Sequence, residues 1–483
     1  MANLKGLFKD TAIYGLSSII GRFLNYLMVP LYTYTLHSCS DYGIYADLYA
    51  QTALVLVILT FGMETTFFRF MNKVDKSETD KVYTTALMMV GIVALVFVAG
   101  VIIFLNQIAG LEGYPQHKWY IGMMALVVAQ DAIQAIAFAY LRYQHKPYKF
   151  AALKLFFIVM SVSLNVLAYL IMPRENPDWE ITVKWAFMIN LACTTTISLL
   201  LTQEWIECKY TFDKKLAKQM LAYTWPLLVL GIAGILNQVA GQIMLPRVLD
   251  QQEGRTQLGI YEACVKIAMI MALITQAFRY AYEPIVFGSS KDKDSKVLYA
   301  KAMKFFIIFT LAAFLCVIAY LDILQFIIGK DYREGLKIVP IVMAAEIMMG
   351  IVVNLSFWYK LIDKTIYGAY FSIAGCIVLF VVNFIFMPRI GYMACAWAGF
   401  AGYGTTMVIS YILGQKHNPI DYPLMEIAFY VVVAGALYAI MALATSQLDI
   451  IAKLGLNTLL VLLFLGIILK KEKIIDAIRA RKN

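Results

Sequence analysis

Charged and amide side chains stand inside stretches of this sequence that are otherwise apolar, and these are the residues that could do chemistry. Thr11, Gly15, Ser18, Arg22 and Asn25 follow one another at alternating steps of four and three, which on a helix makes a single polar stripe. Arg22 lies about 11 residues into its apolar run, roughly 16 Å along a helix and so near the middle of a bilayer. Facing lipid there, an arginine costs at least about 2.5–3.5 kcal/mol. Two readings stay open: Arg22 is a ligand for an anion in a water-filled cavity, with Asn25 beside it, or it pairs with Glu64 or Asp131.

The next run sets Asp47, Gln51, Gly62, Thr65 and Arg69 on roughly one face, with Glu64 on the flank close to Arg69. Arg69, near the cytoplasmic end, either meets an anion or snorkels to the surface. Gln130, Asp131 and Gln134 share a later run with Asp131 near its middle, and Glu346 sits near the middle of another. A carboxyl at that depth is protonated, paired, or exchanges a cation such as Na+ or H+. Asp131, Glu346 and Glu64 are therefore the candidate ion-coupling groups. Arg22, Asn25, Arg69, Gln51, Gln134, Gln238 and Lys266 are the candidate substrate contacts. Glu262 with Lys266, and Arg279 with Glu283, stand four residues apart, a spacing that reads first as a local salt bridge.

No catalytic residue is expected. No G-x-S-x-G, Walker A, loop D-x-D or metal-spaced cluster appears, and the four histidines are scattered, so neither a metal site nor a cofactor is implied. The seven cysteines show no C-x-x-C spacing and mostly sit in apolar runs, as small packing residues do. Without a nucleotide-binding domain the chain is no self-contained ATP-driven pump.

The elements that must position these groups are membrane helices. The chain has 483 residues, 61% hydrophobic and 15% charged, with a mean hydropathy of +0.72. That composition excludes an ordinary cytosolic enzyme, a disordered protein and a disulfide scaffold. Fourteen apolar segments are expected to span, near 11–34, 42–70, 82–105, 119–141, 150–172, 182–201, 221–247, 258–287, 303–328, 336–360, 366–388, 391–414, 423–444 and 452–470. With the N-terminus inside, the cytoplasmic loops hold more than twice the Lys and Arg of the opposite side, so both termini are expected in the cytoplasm. The net charge of +10 reflects this bias and does not imply nucleic acid.

A weak repeat runs at an offset of 216 residues: Gly15, Ile19, Met28, Pro30, Gly43, Ile44 and Tyr45 match Gly231, Ile235, Met244, Pro246, Gly259, Ile260 and Tyr261. Both copies start on the same side, so the repeat is parallel. It predicts an all-α integral membrane protein with a six-helix lobe over 1–220, a second over 221–420, and two more helices with a basic tail over 421–483. Two lobes around a cleft suit alternating access. Pro30 and Pro246 stand late in matched helices and are candidate hinges.

The stretch "GRFLNYLMVPLYTYTLHSCSDYGIYADLYA", with Gly21, Arg22, Pro30, Leu31, Thr33, Asp41, Tyr42, Gly43 and Tyr45, resembles the start of the polysaccharide flippases, the Wzx-like branch of the MOP exporter superfamily. "FGMETTFFRF", "LGIYEACVKI" and "AFRYAYEPIVF" are similar to the family's later spans, in the right order. Members often carry Asp-Arg where this chain has Gly241-Gln242, so any task of that pair must be done differently here. The resemblance implies a transporter, not an enzyme. Its substrate would be a polyprenyl-pyrophosphate-linked oligosaccharide, moved from the cytoplasmic to the outer leaflet of the inner membrane for O-antigen, capsule or exopolysaccharide synthesis. An ion gradient would drive it. Basic residues suit the pyrophosphate, the tail can stay in membrane lipid, and Asn25, Gln51, Gln130, Gln134, Gln238 and Gln242 can bond sugar. A glycan polymerase and other assembly proteins are the expected partners. Three alternatives remain: a cation-coupled multidrug exporter of the same superfamily, a membrane enzyme of glycan assembly, and a scaffold in such an assembly.

Overall fold

The computed structural model describes residues 28–75, 78–206, 208–288, 295–361, 366–443 and 448–472, with Tyr26 and Lys364. All regular elements among the described residues are helical. The main ones are α1 (Met28–Thr35), α2 (Cys39–Thr60), α3 (Met63–Met71), α4 (Thr79–Ile103), α5 (Leu105–Leu111), α6 (Lys118–Tyr143), α7 (Pro147–Val166), α8 (Lys184–Leu200), α9 (Lys214–Val248), α10 (Gln251–Ala268), α11 (Ile270–Gly288), α12 (Ser295–Ala319), α13 (Val339–Leu355), α14 (Ile366–Ile390), α15 (Tyr392–His417), α16 (Leu424–Leu443) and α17 (Ile450–Lys471).

Ten helices among the described residues are long and apolar enough to cross a membrane, or 11 with one bent pair. The expected fourteen is therefore not reached, for identifiable reasons. The first expected span lies largely outside the described residues. The sixth is α8, only 17 residues long. The eighth is not one rod, since its two halves bend by 42° at Met269. The twelfth, α15, is diluted by glycine, threonine and tyrosine.

Local chemistry sets the helix ends. Ser38 caps α2 by accepting from the Asp41 N–H at 3.2 Å. Asp213 caps α9, accepting from the Lys215 and Leu216 N–H groups at 2.8 and 3.0 Å. Those bonds, with Lys81 nearby, hold its carboxyl below the ordinary value. Near Pro173, which has no N–H to give, the helix after α7 widens into a π-turn over Leu167–Ile171.

The second expected span breaks where no break is expected. Phe61 and Gly62 adopt left-handed conformations with φ of 36° and 72°, separating α2 from α3. A Cβ on Gly62 would stand 2.7 Å from the Leu227 Cβ on α9. Gly62→Ala should thus lower stability by about 1–3 kcal/mol. Gly91→Ala, in open space on α4, should be neutral. Apparent melting temperatures in lipid nanodiscs check the pair, and equal melting of both variants would contradict the constraint.

The chain divides into two compact units, one holding the residues up to Glu262 with Asn383–Tyr392, the other holding Ala263–Val382 with Met393 onward. In the first, α6 packs against α2, α4 and α8, and α9 lies along α2. The interior of that unit combines small residues (Ala86, Ala132, Ala139) with Phe67, Tyr83 and Ile136, all fully buried. Small residues let helices approach in lipid, where apolar burial alone gives no drive to associate.

In the second unit α12 packs against α13, α16 and α17. The α16–α17 hairpin is fixed to α12 at both ends. At one end Lys304 Nζ donates to Glu426 (3.0 Å) and Glu472 (2.7 Å), and the Tyr430 hydroxyl donates to Glu472 at 2.9 Å. At the other, Lys453 pairs with Asp322 at 2.7 Å and the Asn457 amide donates to the Ala319 carbonyl at 3.2 Å.

Candidate functional site

The polar groups of the first unit form two clusters. The deeper one starts from Asp131, midway along α6 and half-buried. Lys154 of α7 lies within electrostatic reach of it and of Glu64. The Lys154 ammonium sits 4.0 Å from the centre of the Phe138 ring, a cation–π contact. Glu64, at the start of α3, is ion-paired with Arg142 of α6. The Arg142 guanidinium lies 5.1 Å from the Phe68 ring, and its Nε is buried with no hydrogen-bond partner among the described residues. Two acids and two bases thus face one another inside helices that span the membrane, where each charge requires a partner.

No base stands near Asp131 in sequence, and Lys154 reaches it from α7. Arg69, close to Glu64 in sequence, lies with its guanidinium 4.0 Å over the Tyr223 ring. Gln134 joins helices: its buried amide donates to the Thr194 carbonyl and to Ser198 Oγ, both at 2.9 Å, and Ser198 donates to Gln130 at 3.0 Å. Its N–H groups are thereby engaged between α6 and α8.

The second cluster lies around Asp47, 1% exposed on α2. Its carboxylate accepts from the Tyr114 hydroxyl at 2.7 Å and from Arg247 Nη1 at 3.0 Å. Burial, then the adjacent Asp47 charge, keeps the Tyr114 phenol well above its ordinary pKa, so it remains a donor at neutral pH. Arg247 also pairs with Glu112, which receives the Gln51 amide at 3.3 Å. Arg255 donates to the Gly113 carbonyl at 2.7 Å and lies 4.1 Å over the Tyr114 ring. One arginine at the end of α9 therefore ties α9 to α2 and to the segment after α5.

Beside this cluster α2 and α10 touch backbone to backbone. A Cβ on Gly43 would lie 1.9 Å from the Arg255 carbonyl oxygen, and one on Gly259 would lie 2.0 Å from the Cys39 carbonyl oxygen. Gly43 and Gly259 are repeat mates, and so by the same offset are Cys39 and Arg255. The contact is therefore reciprocal between matched positions of the repeat.

Arg22 and Asn25 lie outside the described residues. Gln238 is exposed on α9 and Lys266 half-buried on α10. Gln242, at the family's Asp-Arg position, donates to the buried Glu262 at 2.9 Å. In the second unit Glu346 is half-buried on α13 within electrostatic reach of Tyr403. Pro30 falls inside α1, and Pro246 inside the last turn of α9, where α10 returns so closely that a Cβ on Gly254 would stand 2.7 Å from the Pro246 Cα. Among the described residues no three His, Cys, Asp or Glu side chains converge to hold a metal ion.

Sequence reasoning missed Lys154, Tyr114 and the reach of Arg247. A lone lysine in the apolar run "FAALKLFFIV" was the available signal for the first.

Solved structures share this fold. The lipid II flippase MurJ in an inward closed conformation matches with a TM-score of 0.76 at 15% identity, over 96% of this chain and 99% of that one. An inward-facing multidrug resistance MATE family transporter of the MOP superfamily matches with 0.63 at 12% identity, over 84% and 94%. A MOP superfamily transporter from Pyrococcus furiosus matches with 0.56 at 13% identity, over 85% and 95%. At these identities the likeness is one of fold. No curated protein sequence matches significantly. Residues 7–282 match the family described as polysaccharide biosynthesis protein, which is more than half of the sequence. The chain belongs to the polysaccharide biosynthesis protein family.

Proposed function

We propose that this protein flips a polyprenyl-pyrophosphate-linked oligosaccharide from the cytoplasmic to the outer leaflet of the inner membrane, by ion-coupled alternating access, for surface polysaccharide synthesis. The observation that carries the reading is the set of opposed charges inside the first unit, Asp131 with Lys154 and Glu64 with Arg142, in a chain of this family. Basic groups at depth suit a pyrophosphate, and a carboxyl beside them can take a proton or Na+ when the pair opens. The lipid II flippase MurJ, which shares the fold, supports a lipid-linked substrate. In this reading both termini are cytoplasmic, Arg22 is the main anion ligand, Asn25 a further substrate contact, Arg69 a second anion contact nearer the cytoplasmic entrance, and Pro30 and Pro246 are hinges. Gln51, Gln134 and Gln238 are amides for sugar, and Lys266 a further basic contact. Glycan polymerase and other assembly proteins would receive the product.

The test is flipping of a fluorescent lipid-linked oligosaccharide in proteoliposomes. Arg22→Ala should cut the rate by more than about tenfold, equivalent to one charge-assisted hydrogen bond of about 1.5–3 kcal/mol. Arg22→Lys should also impair it, since an ammonium lacks the bidentate fork. Full transport by a variant with Arg22 and Asp131 both neutralised would make Arg22 a structural partner instead. Asp131→Asn and Glu346→Gln, scanned across pH and sodium gradients, address the coupling. Among the described residues no basic side chain pairs with Glu346, which favours the second reading, export of cationic drugs. Ethidium efflux from the same vesicles would establish that reading.

A further inference from the structure

The face of α2 opposite the Gly43–Asp47–Gln51 edge carries Tyr42, Tyr45 and Tyr49. They belong to an aromatic cluster completed by Tyr32 of α1, Tyr169 of the π-turn and Phe187 of α8. Tyr45 lies 5.0 Å from Tyr32 and 4.3 Å from Tyr49, centre to centre. Phe187 is 6.3 Å from both Tyr45 and Tyr49, within 17° and 24° of parallel.

Most of this cluster is core. Tyr32, Tyr42, Tyr169 and Phe187 are all buried. The hydroxyls of Tyr32 and Tyr169 are engaged, donating to Asn165 Oδ1 at 2.8 Å and to the Thr182 carbonyl at 2.9 Å. Tyr45 and Tyr49 differ. Both are only partly buried, their side chains interact through a hydrogen bond, and Glu262 and Asp131 lie within electrostatic reach of Tyr45 and Tyr49 respectively. Carboxylates avoid the lipid face, so the partly exposed edges of these two rings lie on the side of the unit that carries Glu262 and Asp131.

Two rings held from behind by other rings, with hydroxyls and carboxylates at their edge, match a pyranose. The C–H face of the sugar packs on the rings and its hydroxyls meet the edge groups. An anion fits poorly there, since the ring faces are electron-rich and the nearest formal charges are acidic. Resting on the transport reading above, we infer that Tyr45 and Tyr49 form the stacking platform for a neutral hexopyranose of the carried oligosaccharide, apart from the groups that hold the pyrophosphate.

The test measures binding of undecaprenyl-pyrophosphoryl-N-acetylglucosamine and of unglycosylated undecaprenyl pyrophosphate to the full chain in nanodiscs, beside the flipping assay. The wild type should favour the glycosylated lipid by about tenfold. Tyr45→Leu and Tyr49→Leu should bring that ratio close to one while leaving the unglycosylated lipid's affinity unchanged. Tyr45→Phe and Tyr49→Phe, which keep the ring and the packing, should retain most of the preference. Equal affinity of the wild type for the two lipids overturns the platform, as does a preference that survives both leucine variants with the wild-type melting temperature. A preference lost only in the leucine variants, in a protein that does not flip, keeps the platform and removes the transport reading.

Discussion

Replacing Arg247 by methionine should destabilise the first unit by about 3–5 kcal/mol, because it strips a buried carboxylate of its cation. Asp47 is 1% exposed and, among the described residues, would keep only the Tyr114 hydroxyl as a bonded partner. Combining Arg247→Met with Asp47→Asn should recover at least half of the loss, since the amide carries no charge to desolvate. The apparent melting temperatures of the two single variants and the double variant in nanodiscs give the coupling directly. A silent Arg247→Met would mean that the arginine serves Glu112 alone. Because Arg247 ties α9 to α2, the same variant should also change the flipping rate if this end of the unit opens during transport.

Gly43→Ala and Gly259→Ala should each stop flipping and lower the melting temperature. A methyl group at either position meets a carbonyl oxygen of the facing helix at about half of normal contact distance, 1.9 or 2.0 Å. The atom in the way is backbone, so no rotamer relieves it, and overpacking of this kind costs about 1–3 kcal/mol or more. Since the contact is reciprocal, either substitution pushes the same two helices apart. The double variant should therefore be much less than additive. Full additivity would show that the two glycines act at separate places.

The helices were legible wherever an apolar run was long, because lipid leaves the backbone no other solution. The break at Phe61–Gly62 was not, since a glycine in an apolar run reads as a tolerated helix residue. Its left-handed conformation answers to Leu227, distant in sequence. The Gly-Ile-Tyr repeat was legible as a pattern, and its physical cause became clear only when Gly43 and Gly259 met carbonyl oxygens across a helix crossing. Asp131 and Glu64 were visible as charges out of place. Their bases were not, because Lys154 and Arg142 reach them from positions set by tertiary packing. Arg247, at the end of an expected span, pairs with Asp47 of a helix 200 residues away in sequence.

The α16–α17 hairpin is fastened to α12 at both ends by ion pairs and hydrogen bonds, and along its length by Leu315, Leu437, Val461 and Phe464. It behaves as a rigid outrigger, whose displacement is that of α12. A dye or spin label attached near Leu459, which is 63% exposed, would report the motion of α12 from a position outside the first unit. The working cycle could then be watched in real time without altering any residue assigned to charge pairing, helix crossing or sugar stacking.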